Sequence, residues 1–129
     1  MPTRVLLSLK PRFAEAILAG EKTFEFRRAL FRRPVTRVVM YASSPTRKVV
    51  GEFTISKVLF LGLDALWSST SGGGAIDRAY FERYFEGRSQ GYALKVKSTR
   101  RYRFPLCLQK DLGIKHAPQS FRYIDWTTS

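Results

Sequence analysis

Gly20-Glu21-Lys22-Thr23-Phe24-Glu25-Phe26-Arg27-Arg28 places a helix stop, a lysine, a lone carboxylate and two arginines in one short run. Upstream, Phe13, Ala16, Ile17 and Gly20 recur at the spacing of one helix face. Pro11 suits a first turn and Gly20 a C-cap, so the pattern predicts a helix over 11–19. Downstream, polar and aromatic residues alternate with the period of a strand, predicted over 22–28. Phe24 and Phe26 then face a core while Thr23, Glu25 and Arg27 share the opposite face. Lys22 sits at the helix–strand junction and is expected to lean toward Glu25 and Arg27 over a cleft.

Four of these residues, Gly20, Lys22, Glu25 and Arg27, form the spacing Gly-x-Lys-x-x-Glu-x-Arg, which resembles the signature of the ASCH (activating signal cointegrator homology) domain family. The similarity extends to Val5-Leu6-Leu7-Ser8-Leu9-Lys10-Pro11, Met40-Tyr41-Ala42-Ser43-Ser44-Pro45, Val50-Gly51-Glu52-Phe53 and Tyr80-Phe81-x-x-Tyr84-Phe85-x-Gly87. The resemblance implies an α+β fold, a PUA-like mixed β-barrel of about five to six strands flanked by two or three short helices. It also implies a cleft, lined by the motif, that binds RNA or a modified nucleoside. One bacterial branch of the family is an N4-acetylcytidine amidohydrolase with a threonine where this chain has Glu25, so that nucleophile is missing here. Thr23 falls at a different motif position, and the branch's later carboxylate matches only Glu82 or Glu86, loosely. Another member resembles a metal-assisted ribonuclease.

Composition points the same way. The chain has 129 residues, 44% of them hydrophobic, which suits one domain over residues 1–129 with a real core and excludes a disordered chain. Lys and Arg number 23 against 10 Asp and Glu, a formal charge of +13. Such an excess favours polyanions through counterion release and steering. From Lys22 to Lys48 the cations Lys22, Arg27, Arg28, Arg32, Arg33, Arg37, Arg47 and Lys48 face one acid, Glu25. Between Glu86 and Asp111 there is no acid, while Arg88, Lys95, Lys97, Arg100, Arg101, Arg103 and Lys110 alternate with Tyr92, Tyr102 and Phe104. Arginine forks clamp phosphates and aromatic rings stack unpaired bases. A merely solubilising surface normally mixes both signs.

The expected partner is therefore RNA, or single-stranded DNA, with a modified nucleoside as a further ligand. Candidate binding residues are Lys22, Glu25, Arg27, Arg28, Arg32, Arg33, Tyr41, Ser43, Arg100, Arg101 and Arg103. Lys22 and Arg27 would contact phosphate or a base carbonyl, and Glu25 would accept from a base amino group. If the chain is an enzyme, a ribonuclease or nucleoside amidohydrolase, Lys22 and Glu25 are the catalytic candidates, since burial can bring a lysine or a carboxylate to a general acid–base role. Against this stands a purely structural Glu25–Arg27 pair across neighbouring strands. A rival from another class is a protein interaction module for an acidic partner.

No cofactor is expected, and no metal: Asp64, Asp77, Glu82 and Glu86 are scattered rather than clustered. Cys107 and His116 are single, which excludes an internal disulfide; they read as a small buried apolar residue and an exposed loop residue. No apolar run approaches a membrane span and no signal-peptide pattern opens the chain, so a cytoplasmic protein is expected. Further strands are predicted over 3–9, 37–42, 49–60 with a bulge at Gly51, 91–97 and 101–108. Helices are predicted over 64–67 and from an Asp77 cap to Phe85, with Tyr80, Phe81, Tyr84 and Phe85 as a mostly core stripe ended by Gly87. The run Ser68-Ser69-Thr70-Ser71-Gly72-Gly73-Gly74 reads as flexible, a lid or a connector, without a nucleotide fingerprint after it. Trp67 is read as core or as a stacking ring. Residues 118–123 are expected to pack back onto the barrel.

Overall fold

The computed structural model describes residues 3–125. Its elements are β1 (Thr3–Leu9), α1 (Pro11–Leu18), β2 (Phe24–Arg27), β3 (Val35–Ala42), β4 (Lys48–Gly62), α2 (Leu63–Ser69), α3 (Arg78–Tyr84), β5 (Gln90–Leu106), α4 (Leu108–Leu112) and β6 (Phe121–Ile124). The strands form one mixed sheet in the order β2-β5-β4-β3-β1-β6. β1 carries the consecutive buried run Val5-Leu6-Leu7 because it is an interior strand, parallel to β3 on one side and antiparallel to β6 on the other.

The two ends of that order approach one another. Phe31 and Phe121 meet edge-on at 4.9 Å, and the Tyr123 hydroxyl accepts from the Arg32 backbone N–H at 2.7 Å. Arg27 on β2 donates to Ser120 Oγ just before β6. The sheet thus curls into the PUA-like α+β barrel expected from the sequence, with six strands. Val5, Leu7, Leu9, Ile17, Val38, Met40, Phe53 and Leu94 fill its main core under α1. Phe26, Leu66, Phe81, Phe85 and Ala93 make a second core under α2 and α3.

Among the described residues four helices flank the sheet rather than two or three. The missed one, α4, has five residues and ends at Gly113 in the left-handed region (φ 71°), too short for a helical period to register in sequence. The strands predicted over 91–97 and 101–108 are one strand, β5, of 17 residues. The chain runs through 98–100 without a break, and the irregularities fall in the facing strand, at Thr54, Ile55 and Lys57. Asp77 caps α3 as expected, accepting from the Tyr80 N–H at 2.8 Å. The glycine run is only partly loose by position: Gly73 and Gly74 are buried, and the Gly73 carbonyl accepts from the Thr23 and Phe24 N–H groups at 2.8 and 3.0 Å.

The bulge expected at Gly51 appears as a register shift between Val49 and Gly51. A Cβ there would stand 2.6 Å from the Arg100 carbonyl oxygen and 2.9 Å from Leu18 Cδ2. Because one neighbour is backbone, it cannot swing away. Gly51→Ala is expected to destabilise the domain by about 2 kcal/mol, read as a lower urea midpoint at unchanged slope.

Candidate functional site

Burial separates the motif residues from ordinary surface charge. The turn after α1, with Gly20 at φ 81°, drops Lys22 into the seam between α1 and the glycine run, where only 2% of it is exposed. Its Nζ lies 5.0 Å from the Phe13 ring centre and 5.3 Å from that of Phe26. It donates to the Gly74 carbonyl oxygen and stands 3.8 Å from Glu25 Oε1. Glu25 is 4% exposed and takes Arg27 Nη1 at 3.3 Å on its other oxygen. Arg27 Nε is buried and has no hydrogen-bond partner among the described residues.

These three side chains open onto a cavity of ≈150 Å³, walled also by Ser8, Leu9, Lys10, Phe13, Phe26, Ile76, Tyr80 and Tyr84. Glu25 is the sole carboxylate among those lining residues. The volume suits one flat ring, as in cavities of this size that admit a single benzene. Burial drives the Glu25 carboxyl above its ordinary range, and the nearby Lys22 and Arg27 only partly offset this. Burial likewise pulls Lys22 below the usual lysine range, against the attraction of Glu25. Both groups are pushed toward neutrality at working pH, the pattern of groups arranged for chemistry or for a ligand.

A second buried carboxylate provides the contrast. Glu52 also suffers desolvation, but hydrogen bonds from Tyr102 (2.8 Å to Oε1) and Arg37 outweigh it and hold the carboxyl below its normal range. Glu52 has the surroundings of a structural charge; Glu25 keeps long contacts of 3.3 and 3.8 Å and a cavity at its side.

Linkage then gives a pH dependence. Since the native state holds the Glu25 proton above the ordinary pKa of 4.5, native protein binds more protons than unfolded chain in that window, and stability falls as pH rises through it. Urea titrations from pH 4.5 upward are expected to show this decline in wild type and its loss in Glu25→Gln.

The other sequence candidates distribute unevenly. Arg28 is exposed beside the cavity strand, with Nη2 3.5 Å from the Glu86 carbonyl oxygen. Arg32 and Arg33 are exposed on the segment that joins β2 to β3, which reaches β6, where the Arg33 guanidinium covers the Tyr123 ring at 4.3 Å. Tyr41 does not line the cavity; it is buried with Leu6, Val39, Val49 and Tyr102 in a separate apolar cluster. Ser43 touches the site only indirectly, its N–H donating to the carbonyl of Leu9 at 2.8 Å. Arg100, Arg101 and Arg103 lie on β5 beyond its pairing with β2, which ends at Lys95, so Arg100 is roughly 15 Å further along the strand. Arg101 is engaged with Glu15 at 2.7 and 2.8 Å.

Sequence reasoning missed Ser8, Lys10, Tyr80, Tyr84 and Ser120. The aromatic stripe of α3 divides: Phe81 and Phe85 are core, while Tyr80 and Tyr84 line the cavity, Tyr84 donating to the Phe26 carbonyl at 3.1 Å. Their hydroxyls, four residues apart, were the available signal. Trp67 packs edge-on to Phe81 at 5.1 Å, as core. Cys107 is half-buried at the start of α4, not a buried apolar residue, and backbone N–H groups of Lys110 and Gln109 draw its thiol down. Asp64 and Glu82 are exposed partners of Arg78 at 2.6 and 3.1 Å, and Glu86 is also exposed, so neither amidohydrolase carboxylate candidate reaches the cavity. Among the described residues no group of three or more His, Cys, Asp or Glu could hold a metal ion.

Residues 7–99 match the ASCH domain family. The crystal structure of ASCH from Zymomonas mobilis superimposes with a TM-score of 0.86 at 27% identity, covering 94% of this chain and 87% of that one. An ASCH domain-containing ribonuclease of Zymomonas mobilis is 30% identical over 93 residues, 71% of this chain and 63% of that protein. Large ribosomal subunit protein uL22 of Ureaplasma parvum is 30% identical over 121 residues. That match spans 93% of this chain but only 39% of the ribosomal protein.

Proposed function

The chain belongs to the ASCH domain family, and from that premise we propose that it binds single-stranded RNA, seating one unpaired base in the cavity beside Lys22, Glu25 and Arg27. The observation that supports this most is the buried Arg27 Nε donor, which has no partner among the described residues, next to a ring-sized cavity and to Glu25 with its long contacts. A base carbonyl or a phosphate oxygen satisfies that donor, and a base amino group satisfies Glu25. The net charge of +13 supplies attraction to the phosphate backbone.

Cleavage is a second reading, favoured by the opposed displacements of Lys22 and Glu25 and by the relative named a ribonuclease. In it the neutral Lys22 amine takes the 2′-hydroxyl proton and the 2′-oxygen attacks the adjacent phosphorus. The P–O5′ bond breaks, and the neutral Glu25 carboxyl gives its proton to the departing 5′-oxygen while Arg27 holds a non-bridging oxygen.

Anisotropy of a labelled single-stranded RNA, titrated across a salt series and then run on a denaturing gel, tests both readings. The expected logarithmic affinity falls with salt by about 0.7 per phosphate engaged. No salt-dependent binding overturns the proposal; RNA shortened by wild type but not by Lys22→Ala selects the cleavage reading.

A further inference from the structure

We infer that the Phe60–Tyr92 pair is a second contact for single-stranded RNA, taking a neighbouring base of the strand whose first base occupies the Lys22 cavity. This rests on the RNA-binding reading above.

Register carries the argument. Arg27 on β2 pairs with Tyr92 on β5, and Tyr92 pairs with Phe60 on β4. Directly paired residues share a face, so the three make one row across the sheet, and the next row is Glu25, Leu94 and Val58. The aromatic pair therefore stands on the face that presents Glu25 and Arg27, two strands or roughly 10 Å from Arg27. Phe60 is 48% exposed and Val58 42%, large apolar side chains on a surface otherwise rich in charge. The Phe60 and Tyr92 rings stack at 4.4 Å with 28° between their planes, forming a flat platform rather than a core packing.

The groove beside it, ≈330 Å³, is lined by Arg28, Leu30, Phe60, Arg88, Gln90 and Tyr92, with no carboxylate among the described residues that line it. Arg88 Nη1 donates to the Arg28 carbonyl at 3.3 Å and Arg28 Nη2 to that of Glu86 at 3.5 Å. Backbone carbonyls fix both guanidinium groups at the rim without neutralising them. Flat rings bordered by uncompensated arginines match bases joined by phosphates. An acidic protein surface would use the cations but leave the stacked rings without a role.

Binding of a short single-stranded RNA and of a mononucleotide would be measured for wild type, Lys22→Ala, Phe60→Ala and Phe60→Trp, with thermal melts to confirm folding. Phe60→Ala is expected to weaken the oligonucleotide on the order of tenfold and leave the mononucleotide unchanged. Phe60→Trp is expected to restore affinity, its added indole emission quenched by RNA. Oligonucleotide binding that depends on Lys22 but ignores Phe60 overturns this inference alone. Equal loss for both ligands overturns it too, because the residue then acts through the cavity or the fold. Absence of any wild-type binding overturns the RNA reading itself. A wild-type dimer that Phe60→Ala converts to monomer would assign the patch to contact between copies, against the inference.

Discussion

Glu25→Ala is expected to lower the unfolding free energy by roughly 3 kcal/mol, with a fall in Tm of about 10 °C for a domain of this size. Two opposing terms set that figure. Burial already makes the ionised carboxylate costly, as its raised pKa records, so deletion relieves one penalty. It leaves a larger one, because Lys22 at 2% exposure then has no counter-charge and Arg27 loses the partner at 3.3 Å. Breaking one side of a buried pair usually costs more than replacing the whole pair with matched apolar groups. The double variant Lys22→Met/Glu25→Leu is therefore expected to recover most of the loss. A Glu25→Ala melt at the wild-type temperature would show that the pair does not hold the seam.

Lys22→Ala is expected to weaken single-stranded RNA about 10- to 100-fold, the worth of one or two hydrogen bonds from a charged group. Removing an exposed cation such as Arg32 is expected to change affinity much less, since its charge is already screened. Lys22→Arg should not rescue. Lys22 is 2% exposed and its Nζ donates to the Gly74 carbonyl, so the bulkier guanidinium fork has to overpack a closed seam to reach the same acceptor. The salt series gives the role: a slope reduced by about 0.7 means a lost phosphate contact, an unchanged slope a lost base contact. If cleavage is the activity, the same variant is expected to lower its rate at least about a hundredfold. Wild-type affinity in Lys22→Ala would remove the cavity from the RNA path.

The legible part of the site is the part built by neighbours in sequence. Gly20 stops a helix and period-two alternation puts Glu25 and Arg27 on one face; both are local rules acting within nine residues. Tyr41 shows where such rules end. It lies beside the segment that resembles the family, yet its strand turns that side chain into a different apolar cluster, because alternation separates two faces without saying which one a barrel encloses. Tyr80 and Tyr84 were legible as part of a helix face but not as cavity wall, since the division from Phe81 and Phe85 depends on which flank of α3 meets the sheet. The predicted break between 97 and 101 is absent from β5 because the bulges that accommodate its bend belong to the facing strand, which local sequence does not show.

Sequence alone therefore determined the element types around the motif, the family resemblance and the +13 charge, since propensity, periodicity and composition are short-range or additive properties. Only the tertiary structure decided that Lys22 and Glu25 are buried while Arg100, Arg101 and Arg103 stand at the far end of β5. Closure of the sheet brings Ser8, Gly74, Tyr84 and Ser120 from four distant segments around three motif side chains. Desolvation at that seam depends on atoms remote in sequence, and it is desolvation that moves both pKa values and leaves Arg27 Nε in need of an acceptor.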